Sequence, residues 1–125
     1  MEEHYPAFYI VKNPIDVTGS ATSDDYLFAM ECLLRDPNVH VIMPWFVFQD
    51  TPLDEGIVEG LDRLNRKSSK PILCGAAGGP YTRRMAAAIE EVGVPVLPSA
   101  HLWAAAASGL VRWGQVLARG GPEQG

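Results

Sequence analysis

Three short stretches of this 125-residue chain hold the residue types that let a backbone approach a ligand or a partner closely. The first is Thr18-Gly19-Ser20-Ala21, placed between the β-branched pair Ile15 and Val17 and a periodic run that starts near Ser23. Gly19 permits a sharp turn with positive φ. Thr22 or Ser23 can cap a helix, and Asp24 and Asp25 suit the dipole in its first turn. The second stretch is Phe48-Gln49-Asp50-Thr51, and the third is Ala76-Ala77-Gly78-Gly79 before Pro80. Each reads as strand, turn, helix. In open α/β sheets such turns gather at the carboxyl edge of the strands, where ligands and partners bind. The plain alternative is a set of tight turns that bind nothing. Cys32, Cys74, His4, His40 and His101 show no metal-ligand spacing.

Composition narrows the classes. Apolar residues make up 47% and charged residues 20%, ordinary values for a globular domain of this length. The net charge is −5 and the isoelectric point about 5.0, which argues against nucleic acid or an anionic membrane as the main partner. No apolar run reaches the ~18 residues of a membrane span. The acidic amino terminus carries no signal-peptide pattern, and two cysteines read as buried thiols of a cytoplasmic protein.

The elements follow from periodicity. Residues 1–12 form an amino-terminal arm with the apolar run Phe8-Tyr9-Ile10-Val11, and residues 13–118 form one domain. A first strand is expected near Pro14–Thr18. A helix over Ser23–Arg35 places Tyr26, Leu27, Met30, Leu33 and Leu34 on one face. The near-continuous apolar run Val39–Val47 predicts a central strand covered on both faces. Pro44 is awkward there, so regular pairing is expected to end near Met43 or to bulge. A second helix is expected over Pro52–Lys67, with Pro52 first and a weak cap from Thr51 and Asp54. Its buried stripe is Leu53, Ile57, Leu61 and Leu64. Gly56 and Gly60 suggest either close helix packing or two tolerated glycines.

A third strand is expected at Ile72–Gly75 and a third helix from Pro80, with Gly93 in the left-handed position after it. A fourth strand at Val94–Leu97 leads to a helix capped by Ser99. Its Leu102, Leu110, Trp113 and Leu117 are expected to pack on the sheet. Residues 119–125 read as a disordered tail. Alternating strands and helices imply parallel βαβ units with right-handed crossovers. The expected fold is α/β: a three-layer α/β/α sandwich with a parallel sheet, flavodoxin-like in size.

Taken in order, Asn13-Pro-Ile-Asp-Val-Thr-Gly-Ser-Ala-Thr, Leu34-Arg-Asp-Pro-Asn-Val-His-Val-Ile, Lys70-Pro-Ile-Leu and Gly93-Val-Pro-Val-Leu-Pro-Ser resemble one family. It is the NDP-forming (ADP-forming) acyl-CoA synthetases, relatives of succinyl-CoA synthetase. The resemblance is to the last flavodoxin-like domain of the CoA-ligase portion and covers roughly Pro6 to Trp113. It implies an enzyme that interconverts acyl-CoA, nucleoside diphosphate and phosphate with free acid, CoA and nucleoside triphosphate, through an acyl phosphate and a phosphohistidine. It implies CoA, nucleotide and Mg for the complete enzyme, none of them bound by this domain itself. It implies as partners a CoA-binding, phosphohistidine-bearing domain and an ATP-grasp domain or subunit.

In the succinyl enzyme's corresponding domain, helix amino termini help hold the phosphohistidine. This chain departs from that pattern. Phe48-Gln49-Asp50 stands where the relative has a glycine pair, Thr18-Gly19-Ser20 stands where it has three glycines, and an aspartate beside a phosphate repels it. The phosphate-facing or partner-facing residues are therefore Gly19, Ser20, Ala21, Gln49, Asp50, Thr51, Gly78 and Gly79, with no catalytic residue among them. His101 lacks the neighbours of a phosphohistidine. The expected role is support of an active site and of domain assembly, with no activity alone. The alternatives are a non-catalytic interaction domain of the same fold, a weak homodimer among its contacts, or a flavodoxin-type small-ligand binder.

Overall fold

A computed structural model describes residues 4–5, 12–49 and 51–120. Most of the amino-terminal arm, including Phe8–Val11, and residues 121–125 of the tail lie outside the described residues. Three strands, β1 (Trp45–Phe46), β2 (Cys74–Ala76) and β3 (Val96–Leu97), form a parallel sheet in the order β1-β2-β3. A bridge between Ile42 and Ile72 extends the β1–β2 pairing toward the amino end. Four helices surround the sheet: α1 (Ser23–Arg35), α2 (Gly56–Lys67), α3 (Pro80–Glu91) and α4 (Ala100–Ala118).

Side-chain alternation along the strands separates the two faces. Phe46, Cys74 and Ala76 point into the main core, with Ile57, Leu61, Met85 and Ile89 of α2 and α3. Trp45 and Gly75 alternate onto the opposite face, where Trp103 of α4 lies against them. α1 packs on α2 and α2 on α3, whereas α4 touches β2 and β3. The result is the expected flavodoxin-like α/β sandwich, with α1–α3 in one outer layer and α4 in the other.

Helix α1 matches its expected span. Thr22 caps it in a full capping box with Asp25, and Asp36 follows it in extended geometry before Pro37. Gly93 follows α3 with φ of +91°. Helix α2 differs at its start, which falls at Gly56. Asp54 accepts from the Gly56 amide and from Ser23, and Thr51 turns back to donate to the Val47 carbonyl, so residues 51–55 form a separate turn. Gly56 and Gly60 also divide. A Cβ on Gly60 would stand 2.1 Å from Leu27 Cδ1, so this glycine sets the approach of α1 to α2, while a Cβ on Gly56 meets only Asp54.

Three expectations are corrected. Among the described residues, Pro14–Thr18 form no strand of the three-stranded sheet: Asp16 alone makes a β-bridge, and Val17 joins a satellite cluster with Tyr5, Ala21 and Ala29, with Ile15 packed against it. Pro44 interrupts the strand without ending β-pairing: Met43 and Pro44 separate the Ile42 bridge from β1, yet the Pro44 carbonyl accepts from Gly75 at 2.9 Å and pairing resumes at Trp45–Phe46. Finally, α4 does not bury its apolar stripe on the sheet. Leu102 is 47%, Leu110 36% and Trp113 46% exposed, and Trp103 makes the contact instead. The reason is length: a 19-residue helix runs about 28 Å, far beyond strands of two or three residues.

Candidate functional site

The eight residues singled out in the sequence separate into two places. Gly19, Ala21 and Thr51 line a cleft of about 1020 Å³ between the segment Lys12–Thr18 and the outer edge of β1. Ser20 stays in the exposed turn, where its hydroxyl meets that of Thr18 at 3.0 Å. Thr18 sits at φ +60°, uncommon for a β-branched residue, and its amide donates to the Asp16 carboxylate at 2.9 Å. Gln49, Gly78 and Gly79 come together elsewhere, at the start of α3. Asp50 lies outside the described residues.

The helix starts decide which turn can hold an anion. A helix amino terminus attracts negative charge through unpaired amides and the dipole. At α1 the protein's own side chains fill part of that setting, since Asp25 accepts from the Thr22 amide and Thr22 Oγ1 accepts from the Asp25 amide, and the carboxylates of Asp24 and Asp25 sit in the first turn. At α2 the Asp54 carboxylate accepts from the Gly56 amide at 3.0 Å and from Ser23 Oγ at 2.8 Å. At α4 Ser99 accepts from the Leu102 amide. Three of the four starts therefore carry an internal partner, and two hold a carboxylate.

The start of α3 is different. Gly79 stands at its cap with no side-chain hydrogen bond, Pro80 occupies the first turn, and no acidic residue lies there. Among the described residues, the amides of Tyr81 and Thr82 have no backbone acceptor, while that of Arg83 bonds to Gly79. Thr82 is 3% exposed, and its hydroxyl has no hydrogen-bond partner among the described residues. Gly78 is needed for the close approach: a Cβ there would stand 2.1 Å from Gln49 Nε2 and 2.5 Å from Thr82 Oγ1. Phe48 packs edge-on against Tyr81, and the Arg84 guanidinium lies over the Tyr81 ring. Unpaired amides, an orphan hydroxyl, a carboxamide and two nearby arginines make a setting for an anion.

Thr82 had no place in the sequence reading, which took Ser23 and Asp54 only as local capping residues of two separate helices. An uncapped Gly-Gly-Pro start with threonine two residues later is the one local signal for Thr82, and the contact across 31 residues between Ser23 and Asp54 has none. His101 lies exposed in the first turn of α4. Burial pushes the Cys74 thiol well above its ordinary value, so it is a core group and not a nucleophile. Among the described residues no cluster of three metal-ligating side chains occurs, and no helix is long and apolar enough to cross a membrane.

No family model matches the chain. Individual relatives do. It is 32% identical over 114 residues to the alpha subunit of acetate–CoA ligase [ADP-forming] II of Pyrococcus furiosus, covering 86% of this chain and 24% of that subunit. The alpha subunit of acetate–CoA ligase [ADP-forming] I of the same organism is 29% identical, over 88% of this chain and 24% of its own length. Among solved structures, the dinucleotide-forming acetyl-coenzyme A synthetase 1 of Candidatus Korarchaeum cryptofilum, in complex with phosphate and ADP, superposes with a TM-score of 0.69. That match is 25% identical and covers 78% of this chain and 22% of the synthetase. The chain thus spans about a quarter of the length of these relatives. Motifs, fold and relatives agree that this chain corresponds to one flavodoxin-like domain of the NDP-forming acyl-CoA synthetases.

Proposed function

We propose that this chain works as the last flavodoxin-like domain of the CoA-ligase portion of an NDP-forming acyl-CoA synthetase, which turns acyl-CoA, nucleoside diphosphate and phosphate into acid, CoA and nucleoside triphosphate. Its part is to steady a phosphoryl group and to hold the domains together, not to form or break bonds. The observation that carries this reading is the start of α3. Of the four helix starts it alone has no first-turn amide bonded to a side chain, and it adds the orphan hydroxyl of Thr82 beside Gly78 and Gln49. A phosphoryl group arriving on a partner domain's histidine meets free N–H donors there, and Arg83 and Arg84 add positive charge. CoA, nucleotide and Mg belong to other parts of the enzyme: a CoA-binding, histidine-bearing domain and an ATP-grasp domain.

The test is a chimera. This chain replaces the matched stretch of the Pyrococcus furiosus acetate–CoA ligase II alpha subunit, and acetate- and CoA-dependent ADP formation is measured in the assembled enzyme. Activity is expected in the chimera and absent from the isolated chain. Thr82→Val, which keeps shape and removes the hydroxyl, is expected to lower kcat by about 10-fold or more with little change in the acetate KM. A folded chimera without activity counts against the reading.

A second reading rests on a specific observation. Carboxylates already occupy the starts of α1 and α2. A domain that has lost these two anion sites serves assembly alone, and a Thr82→Val chimera as active as its parent would favour that role.

A further inference from the structure

Charge along the helices separates α3 from α1 and α2. α1 carries Asp24 and Asp25 in its first turn and Arg35 in its last, and α2 carries Glu59 in its first turn and Arg66 and Lys67 in its last. Both follow the helix dipole, which favours negative charge at the amino end and positive charge at the carboxyl end. α3 runs against it. Its first turn has no acidic residue and its last no basic one, Arg83 and Arg84 follow the first turn, and Glu90 and Glu91 close the helix. Among the described residues, neither Arg83 nor Arg84 has a carboxylate within ion-pair distance. Two guanidinium groups beside a helix end that already carries positive partial charge repel it and each other, and a bound anion offsets that repulsion.

The donors at this start come from two directions. The amides of Tyr81 and Thr82 face out along the helix axis. Gly79 at the cap leaves the approach to them open, with no atom within 4 Å of the place of a Cβ. Gln49 comes from the side, on the loop after β1. Its Nε2 and the buried Thr82 Oγ1 crowd the same point, because a Cβ on Gly78 would meet both. A carboxylate has two oxygens in one plane. A tetrahedral oxyanion presents oxygens in several directions, so it meets axial amides and a lateral carboxamide together.

We infer that the start of α3 binds a free tetrahedral dianion of the phosphate or sulfate type, and that Gln49 selects it over a planar carboxylate. The Tyr81 and Thr82 amides and the orphan Thr82 hydroxyl hold the anion at the helix end. Arg83 and Arg84 supply the positive charge, and the Gln49 carboxamide donates to an oxygen that a carboxylate lacks. The proposal rests on the anion-binding reading of this helix start, and it adds that the dianion binds the isolated chain, with no histidine of a partner domain.

Amide NMR titrations of the 125-residue chain test it, at constant ionic strength, with sulfate, inorganic phosphate and acetate as probes. Sulfate is expected to shift the Gly79, Tyr81 and Thr82 amides and the Gln49 side-chain amide along one saturating curve, and acetate to bind at least about tenfold more weakly. Phosphate affinity is expected to rise at least about threefold from about pH 6 to about pH 8, as monoanion becomes dianion, while that of sulfate changes less than about twofold. Gln49 is exposed, so Gln49→Ala leaves the fold intact; it is expected to weaken sulfate at least about fivefold with acetate unchanged. Arg83→Gln combined with Arg84→Gln is expected to weaken sulfate by at least about fivefold as well. Three results overturn the inference: no saturable shift at the start of α3 with sulfate or phosphate, acetate binding as tightly as sulfate, or Gln49→Ala binding both anions as its parent does. Dianion binding in the isolated chain with an inactive chimera counts against the catalytic reading alone. An active chimera whose isolated domain binds no dianion counts against this inference alone.

Discussion

Trp103 supplies the hydrogen bond that Pro44 withholds. In the parallel ladder the Ile42 amide donates to Pro71, and the next donor toward β2 belongs to residue 44, with the Leu73 carbonyl as its acceptor. Proline has no N–H. The Leu73 carbonyl is satisfied from the other face, by Trp103 Nε1 at 2.8 Å. The same indole stacks at a tilt on Trp45, 5.2 Å between ring centroids, and lies against Gly75. A proline in a β-strand and the docking of α4 are thus one device.

This coupling is measurable. Trp103→Phe keeps an aromatic ring and strands a buried carbonyl, so it is expected to lower stability by about 1–3 kcal/mol. Pro44→Ala restores the missing donor. In that background the cost of Trp103→Phe is expected to shrink by about 0.5–1.5 kcal/mol. Urea unfolding of the four proteins gives the answer, and additive costs would show that Leu73 does not link the two residues.

The α1–α2 contact predicts a difference between two glycines one helical turn apart. Gly60→Ala drives a methyl into Leu27 and is expected to cost about 1–3 kcal/mol, while Gly56→Ala, which meets only Asp54 at 3.0 Å, is expected to cost less than half as much. Denaturation midpoints of the two variants decide it. Gly60→Ala combined with Leu27→Ala should recover part of the Gly60→Ala loss.

Ser23 and Asp54 tie the starts of α1 and α2. Ser23 Oγ donates to the Asp54 carboxylate at 2.8 Å and accepts from the Asp54 amide at 3.2 Å. Ser23→Ala is expected to cost about 1–2 kcal/mol, because it leaves the part-buried Asp54 amide without its acceptor and removes the link to the Asp54 carboxylate. Asp54→Ala removes the same contact and the cap on Gly56. The double variant is expected to lose about 0.5–1 kcal/mol less than the sum of the two, as thermal unfolding can show.

Cys74 predicts a pH dependence. Burial holds its thiol protonated far above the range in which an unfolded thiol ionises. Below about pH 8.5 both states carry the proton and stability does not change on this account. Above it the unfolded state releases the proton and the native state keeps it, so stability falls by up to about 1.4 kcal/mol per pH unit. Cys74→Ala costs packing but is expected to flatten that slope between pH 8.5 and 10. In the native protein, a thiol reagent at pH 8 should modify half-buried Cys32 and leave Cys74 untouched.

Local chemistry determined much of this protein on its own. The capping pattern from Thr22 to Asp25 and the break at Asp36-Pro37 bounded α1 at Ser23 and Arg35. Pro80 began α3, Ser99 capped α4, and Gly93 took the left-handed position, because each depends on the backbone of a few adjacent residues. The family resemblance followed from the order of such short motifs. Burial was legible where periodicity was strong, as at Ile57, Leu61 and Leu64. What tertiary structure decided were relations between distant residues. β-branched Ile15 and Val17 have the pattern of a strand, but the three-stranded sheet does not take them in: Asp16 makes a single β-bridge, and Ile15 and Val17 pack in the satellite cluster with Ala21 and Ala29. The apolar stripe of α4 has the pattern of a core helix, but burial needs a surface opposite it, and the short sheet ends beneath its first turns. Gly19, Gln49 and Gly78 looked equivalent as small or polar turn residues. Only the folded chain separated them, because an anion site depends on which helix starts the protein's own side chains leave open, and at α1 and α2 side chains bond the Asp25 and Gly56 amides.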